Sequence, residues 1–176
     1  MAATRALFGG AISAIIPSTM RDESTMLPIP DHQEVFLDPR TGQGFIVEVV
    51  EHSPGTAEDV CRLYVDDLGQ LNDATSTRDF VCETSEGLEA TVALGQRCSA
   101  QPSGFAGSRS LTCRCTMDLP KEGKGVSFRI LVLQLPEHGT DVLCVLKCGL
   151  EEDEDEIRWR RFVESFDILD FGLFGE

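Results

Sequence analysis

The sequence predicts an α/β (α+β) fold, in which a mainly antiparallel sheet lies between helices. Residues 126–148 have the pattern of a long hairpin, and the centres of its two strands are almost continuously apolar. Such strands are typical of a sheet that is covered on both faces. Two other segments, 56–72 and 151–166, repeat apolar residues every three or four positions, as amphipathic helices do. Helices on both faces would cover the sheet.

The length and charge of the chain restrict its function. Its 176 residues suit a single domain, which we assign to 1–176. Thirty acidic residues against 15 basic ones give a net charge of -15. This charge repels nucleic acid and anionic membranes and attracts basic protein surfaces, although solubility alone would also explain it. Because of the charge, we expect no nucleic acid partner. No apolar run reaches the roughly 18 residues that cross a bilayer, so we also expect no membrane insertion.

The first third of the chain contains three strand patterns. Residues 11–16 are rich in isoleucine and end at Pro17, which indicates a strand. Residues 22–25 could start one short helical turn. Residues 34–37 and 45–50 are predicted to pair as an antiparallel hairpin. Gly9, Gly10 and Ser13 interrupt any signal-peptide core, so we interpret this region as a strand of the mature protein.

The middle of the chain begins with a helix. Thr56, followed three residues later by Asp59, is a loose start signal, and we expect the helix to end near Asn72. Its apolar stripe is predicted to contain Val60, Leu63, Tyr64, Leu68 and Leu71. Further strands are predicted over 78–83, 90–98 and 111–117, with a loop at 101–108.

The last third is predicted to be a hairpin, a helix and a short tail. Strands at 126–135 and 140–148 flank a turn at 136–139. The acidic run 151–156 suits the positive end of the helix that follows it. That helix should face the core with Trp159, Phe162, Val163 and Phe166. The tail, 168–174, must dock on the fold, and an edge strand is one way to do so.

Seven cysteines are dispersed and match no paired zinc-binding module. Without a signal peptide, we expect reduced thiols. The three histidines lie outside known catalytic motifs, and His52 and His138 have the pattern of solvated residues near turns. We therefore assign no catalytic residue, no cofactor and no metal. A small hydrolase or thiol enzyme stays as a disfavoured alternative.

Four segments resemble the Mog1 family of Ran-binding proteins, in the family's order. They are LFGGAISAIIP leading to LPIPDHQEVF, then LYVDDLGQLNDA, then VSFRILVLQLPEHGTDVLCVLKC, and finally RFVESFDILDFGLFG. The most specific part is the P-D-x-Q-E-V-F element. The resemblance implies a six-stranded antiparallel sheet between helices, a fold that the PsbP photosystem proteins share. It also implies a non-enzymatic protein that promotes guanine nucleotide release from the small GTPase Ran in nucleocytoplasmic transport.

The resemblance further implies that Asp31 and Glu34 bind Ran, with Asp22 as a third acidic position just upstream. Family members often carry Arg where this chain has Leu27, so a salt bridge from that Arg is absent here. The local alternatives are that Asp31 caps the turn after Pro30 and that Glu34 is an exposed strand position. We expect Asp31→Ala with Glu34→Ala to abolish Ran binding while the melting temperature stays unchanged.

Several expectations about partners follow from the same resemblance. The protein should be a monomer found in the nucleus and cytoplasm, and a second Ran-binding protein could join the complex. A different function, suggested by some vertebrate relatives, is a cytoplasmic adaptor for the trafficking of a membrane protein such as an ion channel. Nothing in the residues favours that alternative.

Overall fold

The computed structural model describes residues 2–85, 107–149 and 151–175, which contain ten strands and two α-helices. The helices are α1 (Ala57–Leu71) and α2 (Glu152–Ser165). Short 3-10 helices occur at Phe8–Gly10, Pro136–His138 and Phe171–Phe174. The strands, in chain order, are β1 (Ala2–Leu7), β2 (Ile12–Pro17), β3 (Arg21–Asp22), β4 (Gln33–Leu37), β5 (Gly44–Glu51), β6 (Ser76–Ser85), β7 (Arg109–Leu119), β8 (Lys124–Leu135), β9 (Thr140–Lys147) and β10 (Asp167–Ile168).

The main sheet has the strand order β3-β4-β5-β9-β8-β7-β6, and all its pairs are antiparallel. Its six longer strands confirm the predicted antiparallel sheet, and the two-residue β3 adds a seventh strand at one edge. A second sheet of three strands, in the order β1-β2-β10, was not predicted. It joins the beginning of the chain to its end, and no local pattern encodes such a distant pairing.

The β8–β9 hairpin forms the centre of the main sheet. The turn between its strands ends at Gly139, whose φ of 60° is a conformation that glycine adopts without strain. Alternate residues of β8 face opposite sides. Leu131 and Leu133 enter a core shared with β2 and α2, whereas Ile130 and Val132 enter a core shared with α1. The expectation that helices cover both faces of the sheet is therefore confirmed.

The predicted ends of α1 are confirmed, but part of its apolar stripe is wrong. Thr56 caps the helix by accepting a hydrogen bond from the Asp59 N–H at 3.2 Å, and Asn72 follows the last turn. Leu63 and Leu71 are exposed. The buried face of α1 is centred between Cys61 and Tyr64, so it contains residues that the predicted stripe left out. It consists of Ala57, Val60, Cys61, Tyr64, Val65 and Gly69.

The apolar face of α2 is confirmed. Trp159, Phe162 and Phe166 are buried, and the Phe162 ring stacks on Phe45 of β5 with the ring centroids 4.6 Å apart. After α2, β10 pairs with β2 at the edge of the small sheet, so the edge strand expected for the tail is confirmed at Ile168 alone, and Phe171–Phe174 form a 3-10 helix instead. The strand predicted over 90–98, most of the loop over 101–108 and Cys98 lie outside the described residues.

The short helical turn expected from residues 22–25 is present but starts one residue later, since Asp22 belongs to β3. The N–H groups of Met26 and Leu27 both donate to the Glu23 carbonyl, and the bond from Leu27 has the i to i+4 spacing of an α-helical turn. His52 is not simply solvated, because its Nδ1 lies 2.7 Å from Oδ1 of the fully buried Asp141. The Asp141 carboxylate also accepts hydrogen bonds from Ser53 N–H, Tyr64 O–H and Gln134 Nε2. A buried carboxylate needs such donors, and they join the end of β5 and helix α1 to the central hairpin.

Candidate partner-binding surface

The loop between β3 and β4, residues 23–32, is held in place by backbone hydrogen bonds. The Glu23 N–H donates to the Val35 carbonyl at 2.9 Å, and the Val35 N–H donates to Ser24 Oγ at 3.1 Å. Ile29 N–H donates to the Leu27 carbonyl at 2.8 Å. These bonds order the loop before any partner binds, which lowers the entropy that binding would cost.

The loop exposes two consecutive large apolar side chains. Met26 is 78% exposed and Leu27 is 49% exposed; we call this pair the apolar tip. Pro28 and Pro30, which follow it, are exposed as well. Adjacent apolar side chains rimmed by polar groups are common at protein interfaces. The sequence did not predict the apolar tip, because two apolar residues directly before Pro28 form neither a helical nor a strand pattern.

An exposed carboxylate lies at each end of this loop. Asp22 precedes it, and its Oδ1 accepts a hydrogen bond from the Ser24 N–H at 2.9 Å. Asp31 lies near its other end, in a turn that is closed by the backbone bond from Gln33 N–H to the Pro30 carbonyl. Among the described residues, no hydrogen bond to the Asp31 carboxylate supports the local capping role.

Glu34 is not an exposed strand position, which was the local alternative to a role in partner binding. Its side chain is half-buried, and Oε1 accepts a hydrogen bond from the Phe8 N–H at 2.5 Å. Burial raises the pKa of Glu34 above its ordinary 4.5; the hydrogen bond from Phe8 opposes this, and the negative charge of Asp22 adds to it. Glu34 therefore has a structural role whether or not it also contacts a partner.

Phe8 explains why that hydrogen bond matters. Its φ of 50° lies in the left-handed region, which residues other than glycine rarely adopt, and Gly9 follows with a φ of 66°. The Phe8 N–H lies in the turn between β1 and β2, whose N–H and C=O groups are not all paired by strands. Glu34 supplies the acceptor and thereby joins this turn to β4.

The structure brings two of the three predicted residues together. Asp22 lies opposite Phe36 in the β3–β4 pair, and Glu34, two residues before Phe36, lies on the same face of β4. The effect of Asp22 on the pKa of Glu34 reflects this proximity. Asp31 is separate, in the loop before β4. Beside it, His32 Nε2 lies 3.2 Å from Glu48 Oε1.

Other parts of the described structure are weaker candidates for a functional site. A cavity of about 650 Å³ lies between β6–β8 and the start of α2, but its lining mixes the basic Arg114 and Lys124 with the acidic Glu152 and Asp155. Within residues 2–85, 107–149 and 151–175, no group of three or more His, Cys, Asp or Glu side chains is arranged to hold a metal. No helix in these ranges is long and apolar enough to cross a membrane.

Comparisons with known proteins point to one family. The family model described as Ran-interacting Mog1 protein matches residues 5–148. The Ran guanine nucleotide release factor of Danio rerio is 27% identical over 188 residues, which cover 98% of this chain and 100% of the relative. That of Homo sapiens is 33% identical over 141 residues, which cover 78% and 70%. The crystal structure of the Saccharomyces cerevisiae Ran-binding protein Mog1p matches 99% of both chains with a TM-score of 0.73 at 20% identity, a likeness of fold.

Proposed function

Because the chain belongs to the Mog1 family of Ran-interacting proteins, we propose that it binds the GTPase Ran and promotes the release of its guanine nucleotide. The relatives that carry the name Ran guanine nucleotide release factor support this function. The relative named as a nuclear import protein, from Saccharomyces cerevisiae, supports a role in nucleocytoplasmic transport.

We propose that Ran binds at the β3–β4 loop. The observation that carries this proposal is an ordered loop whose exposed apolar tip, Met26 and Leu27, has an exposed carboxylate at each end, Asp22 and Asp31. Interfaces commonly combine an apolar centre with a charged rim. The apolar side chains would provide most of the affinity, whereas the carboxylates would orient a basic partner surface and speed its approach.

Acidic residues at this site suit an effect on a nucleotide pocket. A GTPase holds the phosphates of its nucleotide with lysine and Mg²⁺. A carboxylate that approaches these cations competes with the phosphates for them. A protein that prefers nucleotide-free Ran must, by linkage, lower the affinity of Ran for its nucleotide by the same factor. A coupling of about 1–3 kcal/mol corresponds to roughly 5–150-fold.

The decisive experiment measures the release of a fluorescent guanine nucleotide from Ran with and without this protein. We expect release to accelerate with protein concentration until Ran is saturated. A Ran variant whose basic residues near the nucleotide pocket are neutralised should respond less. Unchanged release at the highest protein concentration, combined with no detectable binding of Ran, would contradict the proposal.

Three narrower features complete the proposal. The protein acts by binding and has no catalytic residues of its own. It works in both the nucleus and the cytoplasm, where Ran-dependent transport begins and ends. Residues 1–176 act as one domain, an assignment supported by the two cores, which share the central strands β8 and β9.

A further inference from the structure

Three cysteine side chains converge between α1 and the β6–β7 pair, far in the sheet from the β3–β4 edge. Cys61 lies on the buried face of α1 and is fully buried. Cys82 of β6 and Cys113 of β7 lie directly opposite each other in the strand pair. The Cys82 and Cys61 sulfurs are 3.4 Å apart. Cys82 is partly exposed, so one member of the cluster reaches the surface.

We propose that Cys61 and Cys82 form an oxidation site, in which a peroxide joins their two sulfurs in a disulfide bond. A disulfide needs the sulfurs about 2.05 Å apart, so they must approach each other from 3.4 Å by roughly 1.4 Å. The backbone of β6 can accommodate such a shift. Its register with β7 is irregular between Arg78 and Val81, immediately before Cys82, and irregular pairs bend more readily than regular ones.

The environment of the cluster assigns a different role to each thiol. Hydrogen bonds from the Cys113 thiol and, less strongly, from the Cys82 thiol lower the pKa of Cys61 to about 7 against the effect of burial. Burial and the hydrogen bond to Cys61 raise the pKa of Cys82 to about 12. Cys61 is therefore the thiolate, which is the nucleophilic form, and peroxide would reach it beside the partly exposed Cys82. Cys82 is the thiol that resolves the product.

The reaction is balanced with hydrogen peroxide as the oxidant. The Cys61 thiolate attacks one peroxide oxygen, a sulfur–oxygen bond forms, the oxygen–oxygen bond breaks, and hydroxide leaves and takes up a proton to become water. The Cys82 sulfur then attacks the Cys61 sulfur and releases its proton. The sulfur–sulfur bond forms as the sulfur–oxygen bond breaks, and a second water leaves. Two thiols are oxidised, and one peroxide is reduced to two waters.

The other described cysteines lack this arrangement. Burial alone raises the pKa of Cys115 to about 11, and Cys144 is buried in the opposite core. Cys148 is a matched comparison for Cys82, because it is also partly exposed and burial raises its pKa to about 12. The groups that act on Cys148 are Asp155 and Arg129, and neither is a thiol. Cys148 should therefore keep its thiol under conditions that oxidise Cys82.

The test treats the full chain with hydrogen peroxide and maps its disulfides by mass spectrometry. A Cys98→Ser background removes the one thiol outside the described residues. We expect the mass of the protein to fall by two hydrogen atoms and a crosslinked pair of peptides to contain Cys61 and Cys82. The rate of thiol loss should rise through about pH 7. Cys82→Ser should abolish the loss of two hydrogen atoms, whereas Cys148→Ser should leave the yield and rate of the Cys61–Cys82 crosslink unchanged.

Three results would overturn the proposal. The first is that all thiols of the wild-type protein remain titratable after peroxide treatment, and the second is a crosslink between Cys61 and Cys113. The third is an undiminished loss of two hydrogen atoms in Cys82→Ser, which would mean that other thiols pair. The first two are measured on the wild-type sequence at the cluster, so they do not depend on the stability of a variant there.

Discussion

The Glu34 carboxylate accepts a hydrogen bond from the Phe8 N–H at 2.5 Å, and this bond joins strand β4 to the left-handed turn between β1 and β2. A residue predicted to bind Ran thus also supports the fold. A loss of binding after its removal would therefore have two explanations. The expectation that Glu34→Ala leaves the melting temperature unchanged is revised for this reason, and the experiment needs a variant that separates charge from hydrogen bonding.

Glu34→Ala and Glu34→Gln provide that separation. Alanine removes the acceptor of a partly buried N–H, so the free energy of unfolding should fall by about 1–3 kcal/mol. Glutamine keeps an oxygen acceptor and removes the charge, so its stability should stay close to wild type while Ran binding weakens. Urea unfolding and fluorescence binding titrations measure the two effects. Equal stability of the two variants would mean that the bond to Phe8 contributes little.

Asp22→Asn tests the electrostatic coupling of the two acids on β3 and β4. Since Asp22 helps to raise the pKa of Glu34, its neutralisation should lower that pKa towards the ordinary 4.5. A carbon-13 NMR titration of the Glu34 carboxyl group measures the change. The exposed Asp66 of α1 provides a control, and Asp66→Asn should leave the titration of Glu34 as in the wild type. A Glu34 pKa that stays unchanged in Asp22→Asn would show that the two carboxylates are not coupled.

The raised pKa of Glu34 also predicts the sign of a pH effect on stability. Between pH 4.5 and the higher pKa of the folded state, the folded protein binds more protons at Glu34 than the unfolded chain does. Its contribution to the free energy of unfolding therefore falls as the pH rises through this window and recovers on acidification. In Glu34→Gln this contribution is absent. Urea unfolding at several pH values should give a difference between wild type and variant that changes in this direction, and the opposite sign would contradict the assignment.

The apolar tip should contribute to affinity without contributing to the fold. Met26→Ser and Leu27→Ser should each weaken Ran binding about tenfold or more, since exposed apolar anchors at the centre of an interface carry much of its energy. Their stability should change by less than about 0.5 kcal/mol. Leu71→Ser is a matched control, because Leu71 is 81% exposed at the end of α1. If the two tip variants bind Ran as tightly as Leu71→Ser does, the apolar tip lies outside the interface.

Asp141 should be one of the larger polar contributors to stability. Asp141→Ala would leave Tyr64 O–H, Gln134 Nε2 and the Ser53 N–H without their acceptor in a buried site. We expect the free energy of unfolding to fall by about 2–5 kcal/mol. Asp67→Ala, at an exposed position of α1, should change it by less than about 0.5 kcal/mol. A similar small change in both variants would show that the buried network is not stabilising.

Local patterns were sufficient to predict most of the main sheet. The β8–β9 hairpin and the ends of α1 depend on residues close in the chain, such as the Thr56 cap and the turn at Gly139, and both were predicted. The small sheet could not be predicted, because the pairing of Ile12 with Ile168 joins the two ends of the chain. The exposure of Leu63 was not predicted, because the sequence of the helix alone does not show which of its faces packs against the sheet.

The candidate site was predictable only in part. The resemblance identified three acidic positions, and whether they bind Ran stays a prediction. The sequence could not show that Glu34 bonds to Phe8, a residue of another strand pair, or that Met26 and Leu27 are exposed together. Each of these facts depends on how the β1–β2 turn and the β3–β4 loop pack. They change which variants are informative, because Asp31 is exposed, whereas Glu34 is half-buried and bonded to Phe8.

The most direct test of the account is therefore the affinity of Ran for the wild-type protein and for Asp22→Asn with Asp31→Asn, measured at low and high salt. Both carboxylates are exposed, so the double variant should melt close to the wild-type temperature. We predict at least about tenfold weaker binding at low salt and a smaller loss of affinity on adding salt, because fewer charges are left to screen. Wild-type affinity and salt dependence in the double variant would contradict the account.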